Sequence, residues 1–160
     1  MKKIFSVLIS FALIFLLSFN TLATDETVTS TKYSSVEYFE DGSYIEIEII
    51  EGFSPASAKE TRSAKLGSKR LTYKNSDGDV QWTATLSGTF TYDGSTCTCT
   101  STGITYSIED NNWKIPSATS SKSGNKAIGN VTAKYYFWGI PTKTVNEVIT
   151  LTCSATGVLS

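Results

Sequence analysis

Residues Trp82–Tyr92 read WTATLSGTFTY, and this stretch decides the fold class. Every second residue is apolar or glycine, and the residues between them are threonine or serine. Such period-two alternation is typical of a β-strand with one buried face, and β-branched threonine suits the other, pleated face. Asp93-Gly94 follows directly and favours a tight turn between antiparallel strands. The sequence therefore predicts a long β-hairpin whose second strand starts near Thr96.

Similar patterns recur along the chain, and no sustained helical period appears after the first 23 residues. Strand-like stretches occupy 35–39, 43–50, 70–74, 126–137 and 143–153, with turn residues at 41–42, 75–78 and 110–112. Ser120–Asn125 is interpreted as a polar loop. Many short strands separated by turns predict an all-β fold, and about seven or eight strands favour an immunoglobulin-like (Ig-like) antiparallel β-sandwich.

The N-terminus is predicted to be a secretory signal peptide covering residues 1–23. A short basic start at Lys2 and Lys3 precedes an apolar run over 4–19, and small residues precede a cut after Ala23. An uncleaved anchor is the alternative, but the run is short for a membrane span. We therefore expect a secreted protein, extracellular or associated with the cell envelope, without stable membrane insertion.

The rest of the chain is divided by its patterning into three parts. Residues 24–52 are predicted to be an N-terminal β-hairpin segment. Residues 53–68 are rich in alanine, serine and lysine without alternation, which favours a linker. Residues 69–160 are predicted to form the β-sandwich domain.

The composition excludes several kinds of function. The chain has no histidine, so the Ser-His-acid and Cys-His mechanisms are excluded. Loss of Lys2 and Lys3 with the leader changes the formal net charge from −1 to −3, and a nucleic-acid surface would need clustered lysine and arginine. We therefore expect no enzymatic activity, no cofactor and no nucleic-acid partner.

The three cysteines, Cys97, Cys99 and Cys153, favour a disulfide over a metal site. A structural zinc site uses four ligands, and three thiols without histidine do not complete it, so no metal is predicted. Exported cysteines tend to pair. A bond from either Cys97 or Cys99 to Cys153 would close a loop of about 55 residues, worth roughly 4 kcal/mol in the chain-entropy account.

Residues Tyr135–Trp138, YYFW, form the densest aromatic stretch. Strand alternation assigns Tyr136 and Trp138 to one face and the other two rings to the opposite face. If the Tyr136–Trp138 pair is exposed, it is a candidate surface for stacking on a sugar ring or anchoring a protein. The alternative is that both faces belong to the packed sandwich.

Several stretches together carry a resemblance to a known group of proteins. They are 37–47, 67–101, 112–127, 134–144 and 149–153, which include EYFEDGSYIEI, NWKIPSATSSKSGNKA and ITLTC. The chain resembles a family of small secreted proteins of unknown function from Gram-positive bacteria of the clostridial group. That resemblance implies a Cys99–Cys153 disulfide and makes Cys97 an additional free thiol, and it implies no catalytic residue.

The function expected from these observations is recognition outside the cell. We expect an exported, non-enzymatic β-sandwich protein that binds a partner, an envelope glycan or a protein. The alternative is a secreted, bacteriocin-like effector that acts on neighbouring cells, although the chain is not cationic and has no amphipathic helix of the kind that binds membranes.

Overall fold

The computed structural model describes residues 30–52 and 62–160, which form eight β-strands and contain no helix. The strands are β1 (Ser30–Tyr38), β2 (Tyr44–Gly52), β3 (Ser63–Lys74), β4 (Val80–Tyr92), β5 (Cys97–Ile108), β6 (Trp113–Ser123), β7 (Lys126–Phe137) and β8 (Ile140–Thr152). The predicted all-β class is confirmed. The predicted signal peptide, residues 24–29 of the hairpin segment and residues 53–61 of the linker lie outside the described residues.

The strands form two antiparallel sheets, as the β-sandwich prediction requires. The first sheet has the order β1-β2-β3-β4-β5, and the second has the order β6-β7-β8. Neighbours in each sheet are consecutive in the chain, whereas immunoglobulin domains use Greek-key connections. The likeness to the immunoglobulin fold therefore lies in the two packed antiparallel sheets, and the connections are those of a meander.

The core lies between the sheets and is built from the alternation seen in the sequence. Trp82, Ala84, Leu86 and Phe90 are fully buried on β4, as the Trp82–Tyr92 pattern predicts. The second sheet contributes alternate residues of β7 and β8, namely Ala127, Val131, Ala133, Val145, Ile149 and Leu151. Burying one large apolar side chain stabilises a fold by about 1.5–3 kcal/mol, so this shared layer holds the two sheets together.

The linker prediction over 53–68 is wrong at its C-terminal end. Ser63–Ser68 belong to β3, where Leu66 pairs with Gly52 of β2 and Ser63 pairs with Tyr92 of β4. Pairing on both sides holds this segment in the sheet even though its side chains are small, polar or half-exposed. The N-terminal hairpin is consequently continuous with the first sheet through the β2–β3 ladder.

The polar loop predicted over Ser120–Asn125 is also shorter than expected. β6 continues to Ser123, and only Gly124 and Asn125 connect it to β7. The serines of this part of β6 are mostly exposed, so no buried face marks the strand in the sequence. The turns predicted at Asp41-Gly42 and Asp93-Gly94 are confirmed, with φ angles of 79° and 88° at the two glycines.

Glu147 is an inward-facing carboxylate on β8, and it provides a test of the packing between the sheets. It lies between Val145 and Ile149 and is half-buried; burial and the nearby Glu37 raise the pKa of Glu147. Because the pKa of Glu147 is higher in the folded state than in the unfolded state, the protein keeps its full stability below the unfolded-state pKa. It loses stability as the pH rises through the folded-state pKa.

We therefore expect Glu147→Gln to be more stable than the wild type at pH 7, by about 1 kcal/mol or less because the group is partly solvated. The wild type should also lose stability between pH 4.5 and 7 relative to this variant. Thermal denaturation of both proteins at the two pH values measures this difference. Equal stability of wild type and variant at both pH values would show that Glu147 is fully solvated.

Candidate functional site

A cleft of about 330 Å³ opens at one end of the sandwich, where the turns of both sheets meet. Its walls come from the β1–β2, β3–β4 and β5–β6 turns and from the adjacent parts of β7 and β8. The lining residues are Asp41, Ser43, Tyr73, Asn75, Ser76, Gln81, Asp110, Trp113, Tyr135 and Lys143. The cleft has the size of a small ligand site and is rich in polar groups.

A packed cluster of aromatic rings lies beneath this cleft. Tyr73 stacks on Trp82 with ring centroids 5.4 Å apart, and Trp113 meets Tyr73 edge-on at 5.0 Å. Tyr135 packs on Trp113 at 5.5 Å, so the cluster joins β3 and β4 of one sheet to β6 and β7 of the other. Aromatic pairs in these geometries add about 0.5–1.5 kcal/mol beyond their buried area, so the cleft has a rigid base.

Lys143 connects the two sheets across the wall of the cleft. Its ammonium group, carried by β8, donates to Asp41, to Ser43 Oγ at 3.1 Å and to the Tyr73 hydroxyl at 2.5 Å. It also lies 5.2 Å from the Tyr73 ring centroid and 5.5 Å from that of Phe39. Three acceptors occupy its three N–H donors, so Lys143 fixes the shape of the cleft and does not itself offer a free donor.

The ionisation of this pair is fixed at neutral pH. Burial acts to lower the pKa of Lys143, but the hydrogen bonds to Asp41 and Tyr73 outweigh it and raise the pKa overall. Hydrogen bonds from Lys143 and then from Ser43 lower the pKa of Asp41 to about 2. Asp41 is therefore a permanent carboxylate at neutral pH and has no proton to donate.

Two other side chains of the cleft offer acceptors to a ligand. Gln81 uses its Nε2 to donate to the Asp79 carbonyl at 3.0 Å, and Asp110 uses Oδ1 to accept from the backbone and side chain of Asn112, both at 2.9 Å. Gln81 Oε1 and Asp110 Oδ2 have no hydrogen-bond partner within 30–52 and 62–160. A ligand with several hydroxyl groups would satisfy both oxygens.

The β7–β8 turn forms an exposed apolar tip next to the cleft. Trp138 is 88% exposed, and its neighbours Phe137 and Ile140 are 58% and 65% exposed. Tyr135 pairs with Lys143 and both line the cleft, so the hairpin that forms one wall continues directly into the tip. The tip is therefore carried by the same hairpin that forms this wall of the cleft.

Trp138 has an unusual backbone for so large a residue. Its φ is 53° and that of Gly139 is 80°, so both central residues of the turn are left-handed. This is the turn geometry that matches the twist of a β-hairpin, but it normally takes asparagine or glycine at the first position. Backbone strain of this kind clusters at functional sites, and the indole of Trp138 in this turn is exposed to solvent.

The predicted binding pair is divided by the structure. Trp138 is exposed, whereas Tyr136 is only half-exposed, with the Lys114 ammonium 4.9 Å from its ring centroid and its backbone N–H bonded to the Asn112 carbonyl at 2.8 Å. A register shift between Tyr135 and Tyr136 interrupts the alternation that assigned the faces. The exposed rings are therefore Phe137 and Trp138, and Tyr136 supports the base of the tip.

The cysteines lie at the opposite end of the sandwich from the cleft. Cys97 pairs with Tyr92 at the far end of β4, whereas Trp82 marks the cleft end. Cys99 and Cys153 are buried and Cys97 is half-buried, and all three are free thiols in this structure. In the part of the chain that the structure describes, no group of three histidine, cysteine or acidic side chains is arranged to hold a metal ion.

The described residues also include no helix long and apolar enough to cross a membrane. The site residues that sequence reasoning misses are Asp41, Gln81, Asp110 and Lys143. They come from four separate parts of the chain, and only the packing of the sheets brings them together. Comparison of the chain with protein-family models, with curated proteins and with solved structures finds no match.

Proposed function

We propose that the protein is an exported, non-enzymatic binding module that recognises a carbohydrate of the cell envelope or of its surroundings. The observation that carries this proposal is the exposed Trp138, which is held in a left-handed turn beside a polar cleft. An aromatic ring covers the apolar C–H face of a sugar, while its hydroxyl groups need acceptors and donors around the edge. Gln81 Oε1 and Asp110 Oδ2 supply acceptors for those hydroxyls in the adjoining cleft.

The charges in the cleft favour binding over hydrolysis. Glycoside hydrolysis uses two carboxyl groups on opposite sides of the scissile bond, and one of them must supply a proton. Asp41, whose pKa is held at about 2 by Lys143, cannot supply that proton at neutral pH. Asp110 is the other acid of the cleft, and a single available carboxylate suits hydrogen bonding to a sugar hydroxyl.

The exposed tip also supports a second candidate, the secreted effector that acts on neighbouring membranes. Phe137, Trp138 and Ile140 form an apolar patch on a hairpin tip, and tryptophan favours the interface between lipid and water. Carbohydrate binding is the better-supported function because the hairpin that carries the tip also forms one wall of the polar cleft. A lipid-inserting tip would make no use of that cleft.

Trp138→Ala is expected to weaken binding to cell-wall polysaccharide or to a responding glycan on an array by about 30-fold or more. That loss corresponds to the roughly 2 kcal/mol expected for a tryptophan at the centre of a binding surface. Val148→Ala is the matched control, because Val148 is 68% exposed on the same hairpin but eight residues along β8 from Ile140. The control should bind like the wild type.

The same three proteins separate the two candidates. If no glycan or wall fraction distinguishes wild type from Trp138→Ala, the carbohydrate proposal is rejected. Dye leakage from phospholipid vesicles that requires Trp138, without glycan binding, would instead support the effector. Circular dichroism of each variant excludes loss of folding as the cause, since Trp138 has little packing to lose.

A further inference from the structure

The end of the sandwich opposite the cleft gathers the three cysteines around the last residues of the chain. Cys97 begins β5, Cys99 follows two residues later, and Cys153 comes directly after β8. The C-terminus folds back there, since Cys153 forms a bridge with Leu159, and Thr152 and Ser160 exchange two backbone hydrogen bonds of 2.8 and 2.9 Å. Cys153 is therefore held firmly between the second sheet and this terminal turn.

The Cys99 side chain is directed along β5, away from the start of the strand. Its Sγ donates to the Ser101 carbonyl at 3.3 Å. Its backbone N–H bonds to the Gly124 carbonyl at 2.8 Å, which ties Cys99 to the β6–β7 turn. Only 3% of the residue is exposed, so an external oxidant has little access to this thiol.

The Cys153 side chain is directed toward the terminal turn, since its Sγ donates to the Ser154 carbonyl at 3.4 Å. That turn packs on the β4–β5 connection, where the Gly94 N–H bonds to the Ala155 carbonyl at 3.0 Å. Gly157 lies so close to the Tyr92 ring that a Cβ there would be 2.5 Å from Tyr92 Cζ. Tyr92 is the register partner of Cys97, so the terminal turn that follows Cys153 packs beside Cys97.

We infer that Cys97 and Cys153 form a disulfide in the exported protein and that Cys99 remains a buried thiol. This pairing differs from the Cys99–Cys153 bond that the family resemblance implies. The Cys97–Cys153 disulfide would join the first residue of β5, in the five-stranded sheet, to the residue that directly follows β8, in the three-stranded sheet. The Cys97 and Cys153 side chains are close enough to interact, and burial first and this interaction second raise the pKa of Cys153 to about 12.

The bond forms by exchange with an external disulfide, either a small-molecule disulfide or the disulfide of a thiol oxidase. Cys97, the half-buried thiol of the three, attacks one sulfur as a thiolate and releases the first thiol of the oxidant. The Cys153 sulfur then attacks Cys97 Sγ in the mixed disulfide, gives its proton to the departing sulfur and releases the second thiol. The two protons of Cys97 and Cys153 leave on the two released thiols, and the external disulfide takes up both electrons.

Differential alkylation tests the pairing on the full secreted protein. Free thiols are blocked with one reagent in denaturant, the disulfide is then reduced, and the released thiols are labelled with a second reagent before tandem mass spectrometry. The first label is expected on Cys99 and the second on Cys97 and Cys153. A first label on Cys97 with the second on Cys99 and Cys153, or a first label on all three after treatment with oxidised glutathione, would overturn the inference.

Single serine variants give an independent measurement. Reduction should lower the Tm of Cys99→Ser by on the order of 10 °C, because this variant keeps the cross-link over a loop of about 55 residues. Reduction should leave the Tm of Cys153→Ser unchanged, because this variant has no cross-link to lose. An unchanged Tm on reduction of Cys99→Ser would count against the Cys97–Cys153 bond, and so would a disulfide-linked dimer through Cys97 in the wild type.

Discussion

Replacing Trp82 with alanine is expected to lower the free energy of unfolding by about 3–5 kcal/mol. The side chain is fully buried, stacks on Tyr73 at 5.4 Å and packs against Trp113 at 6.2 Å. Removing it would leave a cavity at the centre of the aromatic cluster and would release the Tyr73 ring that forms part of the cleft. Urea denaturation followed by far-ultraviolet circular dichroism measures the loss.

Trp82→Phe is the informative control for this variant. The Trp82 Nε1–H is buried and finds no acceptor among the described residues. An unsatisfied buried donor costs about 1–3 kcal/mol, so removing it offsets part of the lost packing. Trp82→Phe should therefore be clearly less destabilised than Trp82→Ala, and equal losses for the two variants would mean that the indole N–H makes a stabilising contact.

The sequence predicts the long β4–β5 hairpin because one face of β4 is buried and the other is not. That asymmetry produces a period-two pattern that is readable without any tertiary information. The tight turns are predictable for a similar reason: a glycine that follows aspartate satisfies a local need for positive φ, as at Gly42 and Gly94. These features depend only on neighbouring residues in the chain.

The two segments whose structure differs from the prediction lack such a local pattern. The start of β3 at Ser63 and the end of β6 at Ser123 are strands whose side chains are largely exposed. Their conformation comes from backbone ladders with β4 and β7, partners that local alternation does not reveal. A polar segment held by pairing resembles a linker or a loop when it is read alone.

The candidate site was predictable only in part, for a related reason. Trp138 stands out because four aromatic residues precede Gly139 at a predicted strand break. The cleft beside it is formed by turn residues that look like ordinary solvated turns, such as Asp41 and Asp110. Their convergence depends on how the two sheets are stacked, and alternation within single strands carries no information about that stacking.

Lys143→Met is expected to destabilise the protein by about 1.5–3 kcal/mol, because hydrogen bonds to a charged group contribute about that much. Lys143 is the residue of β8 that bonds to Asp41, Ser43 and Tyr73 of the first sheet. Methionine keeps the approximate length of the side chain but removes the ammonium group, and with it the contact with the Phe39 ring. The Tyr73 hydroxyl keeps its 2.8 Å bond to Ser43 Oγ, so the loss should stay below that of Trp82→Ala.

The control for Lys143→Met is Arg70→Met. Arg70 lies 3.9 Å from Glu48 with both side chains well exposed, so its removal should change stability by less than about 1 kcal/mol. Asp41→Asn combined with Lys143→Met separates the ion pair from the bond to Tyr73. If adding Asp41→Asn to Lys143→Met causes no further loss of stability, Asp41 stabilises the fold only through its ion pair with Lys143. Equal losses for Lys143→Met and Arg70→Met would instead show that Lys143 does not hold the sheets together at the cleft.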